Sequence, residues 1–518
     1  MNSTFPQDIH QMHDEITAQN TQIAGLRDRL NQLISETERL TLASVTHIQQ
    51  TQPPISFLPY ELLSAVLKMG PTDPQRRTSF TLSVSQVSRQ WREVAIQTPF
   101  LWSGICLFPW HTRGRYRRFL RILLDRSQGH PLDIKVTLFK SQNPNGRTNL
   151  MTRFNYLMAN ENSDALLPDI PMSLDEPIVN NCLEAQLGMF IPKVSRWRTF
   201  NYVGDNSNNV SQIANLLADI SAPILESFRI HTSSAWAGRK EPLNIFDGGA
   251  PKLSLVHIEG ISALTCLPPL SAVTTLRLEA SGMHPMGGAE FLRIFRNLLV
   301  LASLHLEGIV VDLHDLYLLA IQGIYVEIAT LRFFLFSANA SRRYCIESIL
   351  NTIRCPAIVS MTICGLKNPY SFAPPGIQPL PLPPFPLLQS LELNRIKCGK
   401  FINNFDLSHL SALHTISLAD CTSPAALLRL LLPISGGADT VLPLLRVIEL
   451  TRIGEEEANI ICEIIWKRQA CGKPIEAMVF DPVSLDRFPE RVEWMKQHVA
   501  VRRGKPVFYP EELMELKG

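Results

Sequence analysis

The sequence predicts an α/β protein: a long N-terminal helix, a short all-α segment, and then an irregular array of strand-and-connector repeats. Three observations carry this reading. Residues 9 to 40 hold a seven-residue apolar repeat, residues 55 to 105 hold short helical patterns punctuated by proline, and from residue 197 a six-residue apolar pattern recurs ten times. Composition admits such a fold. Of 518 residues, 45% are hydrophobic and 19% charged, which suits a large core. The length is that of three or four ordinary domains, or fewer if one is a repeat array.

The net charge of +2 gives no whole-molecule field to draw nucleic acid or a membrane surface, so neither is expected as a partner. No unbroken apolar run reaches membrane-spanning length: "FLRIFRNLLVLASLHL" is interrupted by Arg293 and Arg296. The N-terminus is polar and lacks the apolar stretch of a secretion signal. The ten cysteines occur singly, never as CxxC. They read as reduced thiols of a cytoplasmic or nuclear protein. Without a secretion signal, the acceptor patterns at Asn209 and Asn339 are not read as glycosylation sites.

The arm, residues 1–50, reads as a coiled-coil helix. Its a positions are Ile9, Ile16, Ile23, Leu30 and Thr37; its d positions are Met12, Gln19, Leu26, Leu33 and Leu40. The seam is therefore Ile9, Ile16, Ile23, Leu26, Leu30, Leu33 and Leu40. Mostly Ile at a with Leu at d favours a parallel dimer, so a homodimer through this helix is one expectation. A single amphipathic helix packed on its own chain is the other. Gln19 and Thr37 weaken the seam and pin its register. Gly25 costs roughly 1 kcal/mol relative to Ala. The flanking positions add no attractive charge pair. "TQPP", residues 51–54, ends the helix as a short stiff hinge.

Residues 55–105 begin "ISFLPYELLSAVLKMG". Pro59 sits where a helix tolerates proline, in its first turn. Leu62, Leu63, Val66 and Leu67 are expected on one face, and Gly70-Pro71 ends the helix. A second helical pattern follows, with Phe80, Val84, Val87, Trp91 and Val94 at three- and four-residue steps, closed by Thr98-Pro99. So few short helices bury too little surface to fold securely alone.

Leu58-Pro-x-Glu61-Leu-Leu, then Val87-Ser-Arg-x-Trp91-Arg-x-Val94-Ala95, resemble the F-box. "TPFLWSGI", from Thr98 to Ile105, is similar to the segment that follows the box in large fungal F-box families. The heptad arm before the box and "LLDRSQGHPLDI" after it also suit those families. The resemblance implies a helical motif that docks onto a Skp-type adaptor and through it onto a cullin ubiquitin ligase. Carried over by position, the adaptor-facing residues are Leu58, Pro59, Glu61, Leu62, Val66, Val87 and Trp91. The chain departs from the family at Val66-Leu67, where a bulky Ile-Phe pair is frequent, and at Ser88, where Cys is frequent.

Residues 106–196 read as a linker region. "RGRYRRFLRILLDRS" carries Tyr116, Phe119, Leu120, Leu123 and Leu124 on one helical face, so its arginines are read as solvated flanks. "PLDIKVTLF" reads as a strand, and residues 140 to 178 as a long polar loop. From residue 197 the ten copies begin at 197, 225, 253, 273, 301, 328, 358, 388, 413 and 445, each apolar at its first, fourth and sixth places. This is the sequence shape of leucine-rich repeats, and residues 197–480 are expected to form an irregular leucine-rich-repeat-like solenoid. Buried strands of a conventional sheet are the competing reading. The Pro-rich "SFAPPGIQPLPLPPFP" is expected to be a stiff insertion loop. Residues 481–518 are expected to be a capping helix and tail.

The fifth places of the copies read Arg229, His257, Arg277, His305, Arg332, Thr362, Glu392, Ser417 and Glu449, basic then acidic. An elongated protein substrate of opposite polarity would suit Arg229, His257, Arg277, His305, Arg332 and Glu392. Glu259, Glu279 and Glu307, two places further on, offer local neutralisation instead. No phosphate loop, dinucleotide fingerprint, nucleophile elbow or paired-Cys metal spacing occurs. His257 and His305 are split by a whole repeat and lack flanking ligands, so no metal or cofactor is expected. The expectation is therefore a non-enzymatic substrate receptor of a ubiquitin ligase. A repeat scaffold that binds protein partners outside any ligase is the alternative.

Overall fold

The computed structural model describes residues 5–51, 58–108, 114–138, 176–204, 207–232, 243–261, 266–280, 285–338, 346–365, 383–401, 407–433 and 441–504. The chain divides into two units. One comprises residues 1–70 and 84–97, the other residues 71–83 and 98–518.

In the first unit, α1 (Phe5–Thr51) is a single 47-residue helix. Every described side chain on it, from residue 13 to residue 43, is exposed, including Ile16, Ile23, Leu26, Leu30, Leu33 and Leu40. The side chain of Ile9 lies outside the described residues. Among the described residues, none packs on the seam from Ile16 to Leu40 closely enough to bury it. Helix α2 (Tyr60–Lys68) follows Pro59. The expected single face of α2 is corrected: Leu63 and Leu67 are buried, whereas Leu62 and Val66 are exposed. Successive helical residues are turned about 100° apart, so an i, i+4 pair and its i+1, i+5 neighbours point to different sides.

The second expected helix is also corrected. It is broken into α3 (Pro74–Val84) and α4 (Arg89–Ile96). Ser88 makes the break productive: its side chain accepts a hydrogen bond from the Trp91 backbone N–H at 3.2 Å and caps α4. Only α4 belongs to the first unit, with α1 and α2.

The second unit is built on one 14-stranded sheet whose strand order follows the sequence. Its strands are β1 (Gly104–Leu107), β2 (Leu132–Thr137), β3 (Trp197–Gly204), β4 (Ser227–Thr232), β5 (Leu255–Glu259), β6 (Thr275–Ala280) and β7 (Ser303–Gly308), then β8 (Phe333–Ser337), β9 (Ser360–Cys364), β10 (Ser390–Asn394), β11 (Thr415–Ala419), β12 (Val447–Leu450), β13 (Ala477–Phe480) and β14 (Ala500–Arg503). Each pairs in parallel with the next, as β4 does with β5 and β5 with β6. The repeated pattern explains the packing. Its first, fourth and sixth places are buried, as at Leu225, Phe228 and Ile230, because alternate strand residues point to one face. Connectors include α5 (Gly114–Arg126), on which Tyr116, Leu120 and Leu123 are buried.

Three expectations are corrected here. The sheet begins at Gly104, inside the expected box, and its second strand is β2, so the described part of the expected linker contributes strands to the sheet. It ends with β14, beyond residue 480, after the expected C-terminal helix (Pro489–His498). The copy at residue 328 reads out of register. Leu331, Phe334 and Phe336 are the buried set there, Phe333 is exposed, and the strand starts at Phe333. The run "IATLRFFLF" contains two overlapping apolar registers, and only pairing with β7 and β9 selects between them. The expected loop at 140–178 and the Pro-rich stretch lie largely outside the described residues.

Strand ends demand a special backbone. Gly260, Gly308 and Gly365 occupy the same place in the repeat at φ of 82°, 75° and 80°. A Cβ at each would run into the carbonyl oxygen of the preceding strand's end, Thr232, Ala280 and Ala338 respectively.

Candidate functional site

The adaptor-facing residues expected from the resemblance all lie in the first unit. Leu63 and Leu67 on α2, Val84, and Val94 and Ala95 on α4 are its buried apolar residues among the described ones. Polar ties fix the ends. The Tyr60 hydroxyl donates to the Gln97 carbonyl at 3.1 Å, and Gln90 Nε2 donates to the Leu58 carbonyl at 3.2 Å. Arg92 Nε donates to the Ser85 carbonyl at 2.9 Å, bracing the break before α4.

With those faces occupied, α2 turns Leu62 and Val66 outward, 54% and 50% exposed, and Met69 at its C-terminus is 86% exposed. These three positions, i, i+4 and i+7, form one stripe along the helix. Val87 is 61% exposed in the same unit. Pro59 and Glu61 are exposed, while Leu58 and Trp91 are half-buried. A contiguous outward stripe of large apolar side chains is what a protein partner can cover. Met69 was missed in the sequence reading. Its signal was the three-residue step from Val66, hidden because Met69 ends the helix beside Gly70.

The second candidate is the row of residues on the opposite face of the sheet from the buried ladder. Strand register places Arg229, His257, Arg277, His305, Leu335, Thr362, Glu392, Ser417 and Glu449 side by side in that order. Arg332 is not in the row; Leu335 takes its place, as the corrected register requires. The next outward row brings His231, Glu259, Glu279 and Glu307 together.

These two rows neutralise each other. The Arg277 guanidinium bonds the Glu279 carboxylate, and its Nη2 lies 3.8 Å from Glu307. His231 Nδ1 lies 2.6 Å from Glu259. His257 and His305 lie 3.4 and 3.5 Å from Glu279 and Glu307. Burial alone would raise the Glu279 pKa, but the neighbouring His257 and the Arg277 charge hold it down to about 2. Burial lowers that of His305. On the acidic half, burial pushes Glu392 up to about 7, with the Glu449 charge adding to the effect.

The expected basic-to-acidic polarity is thus not a free charge gradient. Arg277 and His305 are buried and face carboxylates, and burial disfavours the charged form of Glu392. The expectation that the histidines lack flanking ligands is also corrected. His257, Glu259 and Glu279 bring ligand atoms within 4.8 Å of one another, as do Glu279, His305 and Glu307. Stacking the strands makes neighbours of residues a repeat apart.

Residues 55–108 match the F-box-like family. The match takes in α2 and α4 of the first unit, and α3, the turn Pro99–Trp102 and β1 of the second. It supports reading the chain as an F-box protein. No curated protein and no solved structure matches the chain. Among the described residues, no helix is long and apolar enough to cross a membrane.

Proposed function

We propose that the chain is the substrate-recognition subunit of an SCF-type (Skp–cullin–F-box) ubiquitin ligase. The observation that carries this is the exposed stripe Leu62, Val66 and Met69 inside the F-box-like match. In this reading the stripe, with Leu58, Pro59, Glu61, Val87 and Trp91, docks on a Skp-type adaptor and so on a cullin. The parallel sheet is a leucine-rich-repeat-type solenoid of the fungal F-box kind. Its polar face holds a protein target in the cytoplasm or nucleus. The chain itself carries out no chemistry. It raises the target's effective concentration near the charged ubiquitin carrier.

The arm then pairs two receptors. Its described seam residues, Ile16, Ile23, Leu26, Leu30, Leu33 and Leu40, are exposed, and a second copy supplies the missing apolar face. A parallel, in-register pair sets Gln19 against Gln19 and Thr37 against Thr37. An antiparallel pair over the same seam sets Gln19 against Leu30 and buries an amide on an apolar side chain, which is costly. The Thr37 hydroxyl donates to the Leu33 carbonyl at 2.7 Å, so it enters the seam already satisfied.

The test is a pull-down of the full chain with a Skp-type adaptor, beside a Leu62→Asp, Val66→Asp variant. Both substitutions are at exposed positions, so the fold is expected to survive them. Capture by the native chain, lost in the folded variant, supports the ligase reading. No capture by the native chain favours the repeat scaffold outside any ligase.

A further inference from the structure

Three successive strands repeat one motif on the polar face: His257-Ile-Glu259 on β5, Arg277-Leu-Glu279 on β6 and His305-Leu-Glu307 on β7. Register aligns them, with Glu259 beside Glu279 and Glu279 beside Glu307. His257 is the telling residue. Its side chain is 10% exposed, and its Nε2 lies 3.4 Å from Glu279 Oε1 and 3.8 Å from Glu259 Oε2. Among the described residues, that buried nitrogen makes no hydrogen bond of proper geometry.

These separations are longer than a charge-assisted hydrogen bond, which runs at about 2.7–2.9 Å. They are close to those of two ligands on one ion. Nitrogen and oxygen ligands about 2.1 Å from a tetrahedral zinc ion stand roughly 3.4 Å apart. We propose that His257, Glu259 and Glu279 form a binding site for one divalent transition-metal ion of the zinc class. The ion cross-links β5 and β6 on the polar face. An imidazole with two carboxylates suits zinc or cobalt; magnesium and calcium prefer all-oxygen sets.

The surroundings support the assignment. Each carboxylate is held by a neighbour at the oxygen that faces His257, Glu259 Oε2 by His231 Nδ1 at 2.6 Å and Glu279 Oε1 by the Arg277 guanidinium, so both oxygens are already in place. Such outer partners orient metal ligands. The second triad, Glu279, His305 and Glu307, is disfavoured. Both of its carboxylates face the Arg277 guanidinium, so an ion there would meet a fixed positive charge. In the first triad only Glu279 does.

The full chain, stripped with chelator, is titrated with Co²⁺ and then challenged with Zn²⁺. The expected result is about one ion per chain, with the visible absorption of tetrahedral cobalt and without an intense thiolate band. Zn²⁺ abolishes the signal. His257→Gln lowers affinity at least tenfold, while His305→Gln leaves it unchanged. Glu259→Gln, with circular dichroism as a check of folding, serves if His257→Gln does not fold. The proposal is overturned by a folded native chain that binds no cobalt at that site, by unchanged binding in a folded His257→Gln or Glu259→Gln chain, or by a thiolate band showing that cysteines took the ion.

Discussion

Arg77 Nη1 donates to Asp133 Oδ2 at 2.8 Å, with the two side chains 2% and 4% exposed. This pair joins α3, within the F-box-like stretch, to the second strand of the sheet. Arg77 also donates to the Ser103 hydroxyl and to the carbonyls of Pro71 and Thr72. Asp133 accepts from Arg198 and Thr199 as well. Beside it, Lys135 lies 2.8 Å from Asp73, the residue before α3. Residues 71–83 are therefore tied into the sheet unit rather than the first unit.

A buried ion pair broken on one side leaves an uncompensated charge. Asp133→Ala is expected to lower the stability of the sheet unit by about 3–5 kcal/mol. Arg198→Ala, at a part-exposed partner, should cost less. Urea denaturation of the full chain checks the order. Equal effects for the two variants would contradict the hub role of Asp133.

Glu347, in the helix Ile346–Thr352, is buried, and among the described residues no other residue hydrogen-bonds either carboxylate oxygen. Burial raises its pKa from 4.5 to about 7. The folded state holds this proton where the unfolded chain has lost it, so the group's contribution to stability falls as pH rises from 4.5 and is fully lost above 7. The shift corresponds to about 3 kcal/mol at most. Glu347→Gln should therefore gain stability over the native chain progressively across that window. Thermal melts at pH 4.5, 6 and 8 read it; a constant difference would exclude the mechanism.

Gly308 has a φ of 75°, and a Cβ there meets the Ala280 carbonyl oxygen. Gly308→Ala combines backbone strain with a clash against a fixed strand, and a loss of about 1–3 kcal/mol is expected. Gly25→Ala, on the exposed arm with open space around it, should instead stabilise its helix by roughly 1 kcal/mol. Opposite signs for the two substitutions in denaturation are the check.

Leu26→Asp with Leu33→Asp places charges in the arm's seam. Sedimentation should show the native chain at twice the mass of this variant. A Leu33→Cys chain should cross-link to a dimer under mild oxidation, beyond any native background. An antiparallel pair would hold the two introduced thiols far apart, so absent cross-linking in a dimeric chain would reject the parallel arrangement.

Much of this was legible in the sequence because the signals are periodic and local. The heptads of residues 9–40 mark α1, and the six-residue apolar pattern marks nearly every strand from β3 to β12. Proline and Ser88 punctuate the short helices. β1, with only "GICL", and β14, with "AVRR", have no such signature and are strands because a paired neighbour completes them. Met69 was similarly invisible as part of a stripe until Leu63 and Leu67 were known to be buried.

Tertiary structure alone decided the rest. The choice between Arg332 and Leu335 rests on hydrogen-bond register with β7 and β9, since both readings satisfy apolar periodicity. The Arg77–Asp133 pair spans 56 positions and has no local pattern. His257 and Glu279 meet only because parallel strands stack at about 4.8 Å and bring a whole repeat's separation down to one strand spacing. Periodicity tells which side chains seek the core, whereas register between distant segments tells which polar groups face one another.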